Sequence, residues 1–145
     1  MKTNPIKILV LTLLTLFVFQ LLTKGEDICF DTYSHVISLV ETNHDNMAVG
    51  RSGEMTKYQF MEPTWNQYSK RPMTYGQQNE QYAEKVFRKH FQWKLRALRT
   101  LNKEVSVYNL ALLHNAGYGN IQRNTLKPRH YDYASRVRNL FELQY

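Results

Sequence analysis

The feature that most restricts the fold is a long amphipathic segment, from about residue 78 to residue 101. Phe87, Phe91, Leu95 and Leu98 recur there at steps of three and four, and residues at such steps share one face of an α-helix. The segment therefore predicts a long helix that packs on a core through this stripe. Its remaining sides are predicted to form a solvated basic face, which carries Arg88, Lys89, Lys94, Arg96 and Arg99.

An earlier apolar ridge ends on an acid. Tyr33, Ile37 and Glu41 follow one another at steps of four, so a helix over this segment would carry Glu41 at the end of its inward face. The same face holds Phe30 and Val40. Two aspartates are available to cap the start of this helix, Asp27 and Asp31.

Three further segments are predicted to be helical, and none alternates like a strand. A short helix follows residue 58, with Pro63 tolerated in its first turn. Another covers residues 105–116 and is ended by Gly117 and Gly119, and the last surrounds Tyr133 and Val137. A chain of 145 residues holds one core of ordinary size. The prediction is a mainly α, single-domain protein.

The first 25 residues have the layout of a secretory signal peptide. Lys2 and Lys7 precede an apolar run from Ile8 to Leu22, which is shorter than the roughly 20 residues that a membrane span needs. We expect export to the periplasm or cell envelope, or secretion, with 26–145 as the exported domain; a retained N-terminal membrane anchor is the alternative. Cys29 is the only cysteine, so packing alone must stabilise the domain.

Charge and motif content exclude several functions. The chain carries a net charge of +7, and 16 basic against 12 acidic residues remain if Lys2, Lys7 and Lys24 leave with the signal, a net charge of +4. This suits an anionic envelope surface, and export argues against nucleic acid as the partner. The five histidines form no metal-binding motif and the glycines form no dinucleotide loop. We expect neither a metal nor a cofactor.

Four short motifs remain, in a fixed order. Glu41 and Thr42 end the first helix, and a polar loop over residues 43–57 leads to the second motif, Q-F-M-E-P-T-W from Gln59. The third motif is Asn115 with the following Ala-Gly, and the fourth is Tyr133 with Ala134. In these residues the chain resembles the lysozyme-like catalytic domain of the soluble lytic transglycosylases, over roughly residues 30–143.

The resemblance implies a lysozyme-like fold and cleavage of peptidoglycan glycan strands. Glu41 would act as acid and then as base, the 6-hydroxyl of the muramic acid would attack its own anomeric carbon, and a 1,6-anhydro sugar would form. The substrate-binding residues implied are Thr42, Gln59, His114, Asn115 and Tyr133. A small domain of this kind also suits a secretion or conjugation apparatus as a partner.

The chain departs from the family pattern at several positions. Thr56 and Lys57 replace Gly-Leu, Glu62 and Pro63 replace Pro-Ala, and His114 replaces a tyrosine. A protonated histidine would favour the ionised form of Glu41 and weaken it as an acid. An inactive protein that binds the wall is therefore one alternative to catalysis.

A general acid must hold its proton at neutral pH. Burial at the end of an apolar ridge, and the negative end of the helix dipole, both predict a raised pKa for Glu41. A hydrolytic muramidase is a second alternative, if a further carboxylate activates water across the cleft: Asp45, Glu54 or Glu62. Local structural roles also stay open, namely loop or helix-end capping for Gln59 and Asn115, a helix-end hydroxyl for Thr42, and core positions for Tyr133, Trp65 and Trp93.

Overall fold

A computed structural model describes residues 28–144 of the chain, and this part is mainly α-helical. The proposed signal segment, residues 1–25, lies outside it. Within the described part, no helix combines the length and apolar character needed to cross a membrane. The helices are α1 Phe30–Thr42, α2 Glu62–Trp65, α3 Met73–Gln78, α4 Glu80–Thr100, α5 Val107–Ala116, α6 Tyr118–Gln122 and α7 Pro128–Glu142.

The helices surround one core, with α4 along its length. α7 packs against α5 and α1, and α4 contacts α1, α3 and α5. Phe87 of α4 lies at the centre of an aromatic cluster: its ring stacks on Tyr58 at 4.0 Å between centroids and lies 6.1 Å from Tyr33. Trp65, the first tryptophan, is fully buried, which confirms its predicted core position.

The segment between α1 and α2 is an irregular loop of short turns. Val49 pairs with Met55, and Met55 pairs with Phe60, through isolated antiparallel bridges. The Asn46 side chain ties the loop to the end of α3, because its Nδ2 donates to the carbonyl oxygens of Gly76 at 2.9 Å and Gln77 at 2.8 Å. The loop is thereby held beside the end of α1 that carries Glu41.

Local chemistry explains where the helices start and stop. Ser106 and Asn79 accept hydrogen bonds from the backbone of the first turns of α5 and α4. Asn43 ends α1 in the left-handed conformation, with φ of 52°. Gly117 ends α5 with φ of 80°, a conformation that glycine adopts at little cost.

Three local predictions were wrong or incomplete. Asp31 does not cap α1, because the helix begins at Phe30 and Asp31 lies inside its first turn; the other candidate, Asp27, is outside the described residues. Gly119 does not end a helix but lies within α6. The short helix α3 was not predicted, since its sequence MTYGQQ shows no apolar period.

Candidate active site

Glu41 lies one residue before the C-terminal end of α1, on the wall of a surface cleft. Its side chain is 18% exposed, so the carboxyl group is mostly withdrawn from water but still reachable. The apolar ridge below it, Tyr33 and Ile37, is fully buried. Because Glu41 continues this ridge, as predicted, it lies at the boundary between the core and the cleft.

Two side chains from other helices converge on the same oxygen of Glu41. The Tyr133 hydroxyl of α7 donates to Glu41 Oε1 at 2.6 Å, and His114 Nε2 of α5 lies 3.4 Å from that oxygen. The His114 side chain is only 8% exposed. Three helices that are distant in sequence thus meet at one carboxyl group.

Lys94 extends this arrangement into the core, which contradicts its predicted place on a solvated face. It is fully buried, and its Nζ lies 3.3 Å from His114 Nδ1 and 3.3 Å from the Tyr33 hydroxyl. The same nitrogen lies 4.8 Å from the centroid of the Phe87 ring. The physical reason is its register: Lys94 follows Phe87 by seven residues and Phe91 by three, so it belongs to the apolar stripe of α4.

These neighbours overturn the predicted direction of the Glu41 pKa. Burial by itself raises the pKa of Glu41, but the hydrogen bond and charge of His114, the hydroxyl of Tyr133 and the charge of Lys94 lower it below its ordinary value. Each of these groups stabilises the ionised carboxylate. The dominant form of Glu41 at neutral pH is therefore the carboxylate.

The two basic groups behind Glu41 are themselves shifted by their surroundings. Burial, then the nearby charge of Lys94, lowers the pKa of His114, so its ring is neutral at pH 7. Burial also lowers the pKa of Lys94 well below its ordinary value, and the charge of Glu41 only partly opposes this. Burial thus makes a positive charge on either group costly.

Glu41 opens into a cavity of about 300 Å³. The neighbouring cavity also holds about 300 Å³, and it shares Gln59, Met61 and His114 with the first, so the two form one groove. The first cavity is lined by Glu41, Gly50, Arg51, Glu54, Gln59, Met61, His114 and Asn115.

Aromatic and partly polar side chains line the second half of the groove. Trp93, Tyr68 and Tyr118 contribute rings, and His90 lies among them. Trp93 is only partly buried and stacks on His90 at 5.5 Å, so it is a wall of the groove as well as a neighbour of the core. Within the described residues, His90 Nδ1 is a buried nitrogen without a hydrogen-bond partner.

The structure brings most of the predicted site residues together. Gln59 and Asn115 line the cavity with Glu41, although Gln59 Nε2 also donates to the Thr56 carbonyl at 3.1 Å. Tyr133 is buried beside Glu41. Thr42 does not line this cavity: its hydroxyl lies 3.3 Å from the carbonyl oxygens of Ser38 and Lys57, where it joins the end of α1 to the loop.

The three candidate second carboxylates differ in position. Glu54 lines the same cavity as Glu41, and its Oε2 accepts from the backbone nitrogen of Ser52 at 2.9 Å. Asp45 is exposed and accepts from the backbone nitrogen of Met47 at 2.8 Å. Glu62 is exposed at the start of α2. Only Glu54, of these three, shares a cavity with Glu41.

Lys94 is the site residue that sequence reasoning missed. The signal was present, because position 94 falls within the spacing of Phe87, Phe91 and Leu98, but a basic residue is normally assigned to solvent. In the part of the chain that the structure describes, no cluster of three or more histidine, cysteine or acidic side chains is arranged to hold a metal ion.

Comparison with known proteins adds no relative: no family model, no curated protein and no solved structure matches this chain.

Proposed function

We propose that this chain is a lysozyme-like lytic transglycosylase that cleaves the bond between MurNAc and GlcNAc in peptidoglycan. The observation that carries the proposal is the placement of Glu41 on the wall of a groove, where it is hydrogen-bonded by Tyr133 and lies beside Gln59 and Asn115. The four motifs that resemble the soluble lytic transglycosylases supply these same residues.

One carboxyl group suffices for this reaction. Glu41 gives a proton to the departing glycosidic oxygen of GlcNAc as the bond to C1 of MurNAc breaks. The 6-hydroxyl of MurNAc then attacks C1, and its proton passes to the Glu41 carboxylate. A 1,6-anhydro-MurNAc end forms, no water is consumed, and Glu41 regains its proton.

The groove has chemistry that suits an N-acetylated sugar strand. Rings such as Trp93 and Tyr118 can cover the apolar face of a sugar, while the Gln59 amide and the Asn115 amide offer hydrogen bonds. Mixed apolar and polar linings of this kind fix both the position and the orientation of a ligand.

Positive charge beside the groove suits the carboxylates of peptidoglycan. Arg51 lines the cavity of Glu41. Asn115 also lines a further cavity of about 380 Å³, together with Arg129 and Arg136. Guanidinium groups bind carboxylates through paired hydrogen bonds, and the lactyl and peptide carboxylates of a wall strand are the ligands that this charge favours.

The position of Glu54 favours a second candidate function, that of a hydrolytic muramidase. A carboxylate on the same cavity as the acid is the arrangement that activates water in other glycosidases. The two activities leave different chain ends, because hydrolysis produces reducing MurNAc ends and the transglycosylase reaction produces anhydro ends.

Digestion of purified sacculi, followed by mass spectrometry of the fragments, tests the proposal. We expect anhydro ends from the unmodified protein and from Glu54→Gln, and a loss of at least about 10³-fold in Glu41→Gln, which cannot donate the proton. Glu62→Gln is the matched control, because Glu62 is exposed on α2. Reducing ends that vanish in Glu54→Gln would establish the hydrolase instead, and intact sacculi with bound protein would indicate a wall-binding protein without activity.

The proposed setting is the cell envelope. It rests on the signal-like segment 1–25, which would deliver the domain to the periplasm or secrete it, or anchor it to the membrane if retained. Peptidoglycan glycan strands are the proposed partner, and local opening of the wall for a secretion or conjugation apparatus is the proposed use.

A further inference from the structure

A line of three titratable groups runs from the core to the cleft. Lys94 Nζ lies 3.3 Å from His114 Nδ1, and the opposite nitrogen of the same ring, Nε2, lies 3.4 Å from Glu41 Oε1. The imidazole ring therefore bridges a lysine and a glutamate, one on each nitrogen.

The surroundings of Lys94, the innermost of the three groups, disfavour a charge. Lys94 is fully buried and is flanked by the Tyr33 and Phe87 rings. A buried ammonium group with no carboxylate in direct contact is costly, whereas a neutral amine is not. Several other titratable or charged groups surround these three residues. They are Tyr33 of α1, Arg51 and Glu54 of the loop between α1 and α2, His90 of α4 and Tyr133 of α7.

Two arrangements of protons satisfy these contacts. An ammonium can only donate, so a charged Lys94 requires a lone pair on His114 Nδ1, places the ring proton on Nε2 and leaves Glu41 as the acceptor carboxylate. A neutral Lys94 can accept instead, so the ring proton moves to Nδ1, and a protonated Glu41 donates to Nε2. Both arrangements hold the same number of protons.

We propose that Lys94, His114 and Glu41 share one proton, and that Lys94 is a positioning residue that supplies Glu41 with its acidic proton through His114. This inference rests on the proposed function. In the transfer, an N–H bond of Lys94 breaks as one forms at His114 Nδ1, and the Nε2–H bond breaks as an O–H bond forms on Glu41 Oε1. The charges of Lys94 and Glu41 cancel, and all three groups become neutral.

The shared proton explains how Glu41 can act as an acid although its pKa is lowered. A carboxyl group of ordinary or lowered pKa holds almost no proton at neutral pH. With the shared proton, the acid form is populated at any pH where the three groups together retain one proton. Activity should therefore stay level from acidic pH into the alkaline range.

The pH profile of anhydro-product formation tests this in Lys94→Met, which keeps the volume but has no proton to share. We expect the unmodified protein to show a plateau, and Lys94→Met to lose activity progressively as the pH rises above the pKa of its Glu41, by at least about tenfold at pH 8 relative to its own rate at pH 5. Lys85→Met is the matched control, because Lys85 is exposed on the same helix. A Lys94→Met profile that extends to higher pH, or that is reduced equally at all pH values, overturns the proposal.

A double-mutant comparison tests the route through the ring. Phenylalanine at position 114 has no polar atom and cannot carry a proton between Lys94 and Glu41, so Lys94→Met should not change the pH profile when it is added to His114→Phe. An equal change in both backgrounds would mean that Lys94 acts on Glu41 without His114, and would overturn the proposed route.

Nitrogen-15 NMR of the His114 ring gives a readout that needs no activity. We expect averaged Nδ1 and Nε2 shifts in the unmodified protein at pH 7, and a single fixed tautomer in Glu41→Gln, because the side-chain amide has no acidic proton to exchange with the ring. A single unchanged tautomer in both proteins overturns the shared proton. Averaged shifts in a protein that leaves sacculi intact would instead support the shared proton and refute the proposed function.

Discussion

Two hydrogen-bond donors meet on one oxygen of Glu41, and they have different strengths. The Tyr133 contact is short at 2.6 Å, whereas the His114 contact is 3.4 Å. Short hydrogen bonds to a carboxylate are charge-assisted and strong. Tyr133 is therefore the main anchor for the orientation of the carboxyl group, and His114 is the adjustable partner.

Removal of the Tyr133 hydroxyl should raise the pKa of Glu41. A donated hydrogen bond stabilises the carboxylate, so Tyr133→Phe shifts the balance toward the protonated acid. We also expect a loss of about 1 kcal/mol in the free energy of unfolding. Carbon-13 NMR titration of the Glu41 carboxyl and urea unfolding measure the two effects, with Tyr131→Phe on the exposed side of α7 as control. An unchanged titration midpoint would contradict the role given to Tyr133.

Lys94 should make the stability of the fold depend on pH under alkaline conditions. Burial lowers the pKa of Lys94 well below 10.5 in the folded protein, so between that lowered pKa and 10.5 the unfolded chain binds one more proton. Stability therefore rises with pH in this window, by up to about 1.4 kcal/mol per pH unit. Urea unfolding measured at rising pH up to 10.5 should show this slope only above the pH at which Lys94, His114 and Glu41 lose their shared proton and the activity plateau ends, in the unmodified protein and in Lys85→Met but not in Lys94→Met. Parallel curves for all three proteins would refute it.

Sequence reasoning was more reliable for residues whose neighbours are close in the chain. Glu41 was found because it continues the ridge of Tyr33 and Ile37 within a single helix. The direction of its pKa was predicted wrongly, because that depends on His114, Tyr133 and Lys94. These groups come from three other helices, and no local pattern gives their distances.

At the scale of elements, the loop between α1 and α2 shapes the groove. Gly50 accepts and donates backbone hydrogen bonds with Gly53 and Glu54, which folds the loop back on itself. A Cβ atom at position 50 would collide with Glu54 Oε2 and would lie 2.6 Å from Gln59 Oε1. The missing side chain therefore leaves space for two side chains that line the cavity of Glu41.

Gly50→Ala should impair the groove more than the fold. Glu54 and Gln59 must shift to admit the methyl group. We therefore expect at least about a tenfold loss of the proposed glycan cleavage, with unfolding stability changed by less than about 1 kcal/mol because the ends of both side chains can move. Gly53→Ala is a poor control, since Gly53 has φ of 86°. Ser52→Ala, on the exposed part of the same loop, is a better one. Full activity in Gly50→Ala would show that Glu54 and Gln59 need no fixed position.

The helices with a clear apolar period were predicted with ends correct to about two residues. α4 was expected over 78–101 and observed over Glu80–Thr100, and α5 was expected over 105–116 and observed over Val107–Ala116. Two short helices without such a period, α3 and α6, were not predicted. Their formation depends on contacts such as those of Asn46 with the end of α3, which propensity does not encode.

At the scale of the whole molecule, one aromatic ring joins the groove to the core. Phe87 contacts Tyr33 from α1, Tyr58 from the loop and His114 from α5. Because the only cysteine, Cys29, is free, such packing must provide the stability that disulfides give many exported domains.

Phe87→Ala should lower the free energy of unfolding by about 3–5 kcal/mol, since it removes a fully buried ring and leaves a cavity among four elements. Thermal or urea unfolding followed by circular dichroism measures the loss. Leu143→Ala, where the side chain is 81% exposed, should change stability by less than about 0.5 kcal/mol. A similar small change in Phe87→Ala would mean that the core relaxes around the missing ring.

The mainly α class was predictable because apolar periods identify helices one at a time. The way in which helices pack was not, because a period fixes which face is buried but not which partner buries it. Lys94 illustrates the limit: its place in the stripe of α4 is readable in the sequence, and its contact with His114 of α5 is not.

Glu41 and the three side chains linked to it, Lys94, His114 and Tyr133, come from α1, α4, α5 and α7, and the Tyr133 contact with Glu41 spans 92 residues of sequence. A chain in which α7 has not yet docked holds Glu41 without its principal anchor, so this arrangement of side chains exists only after all four helices have packed together. On the proposed function, the rate of glycan cleavage would then report the number of completely folded molecules. A newly made or partly unfolded copy would pass the wall without cutting it.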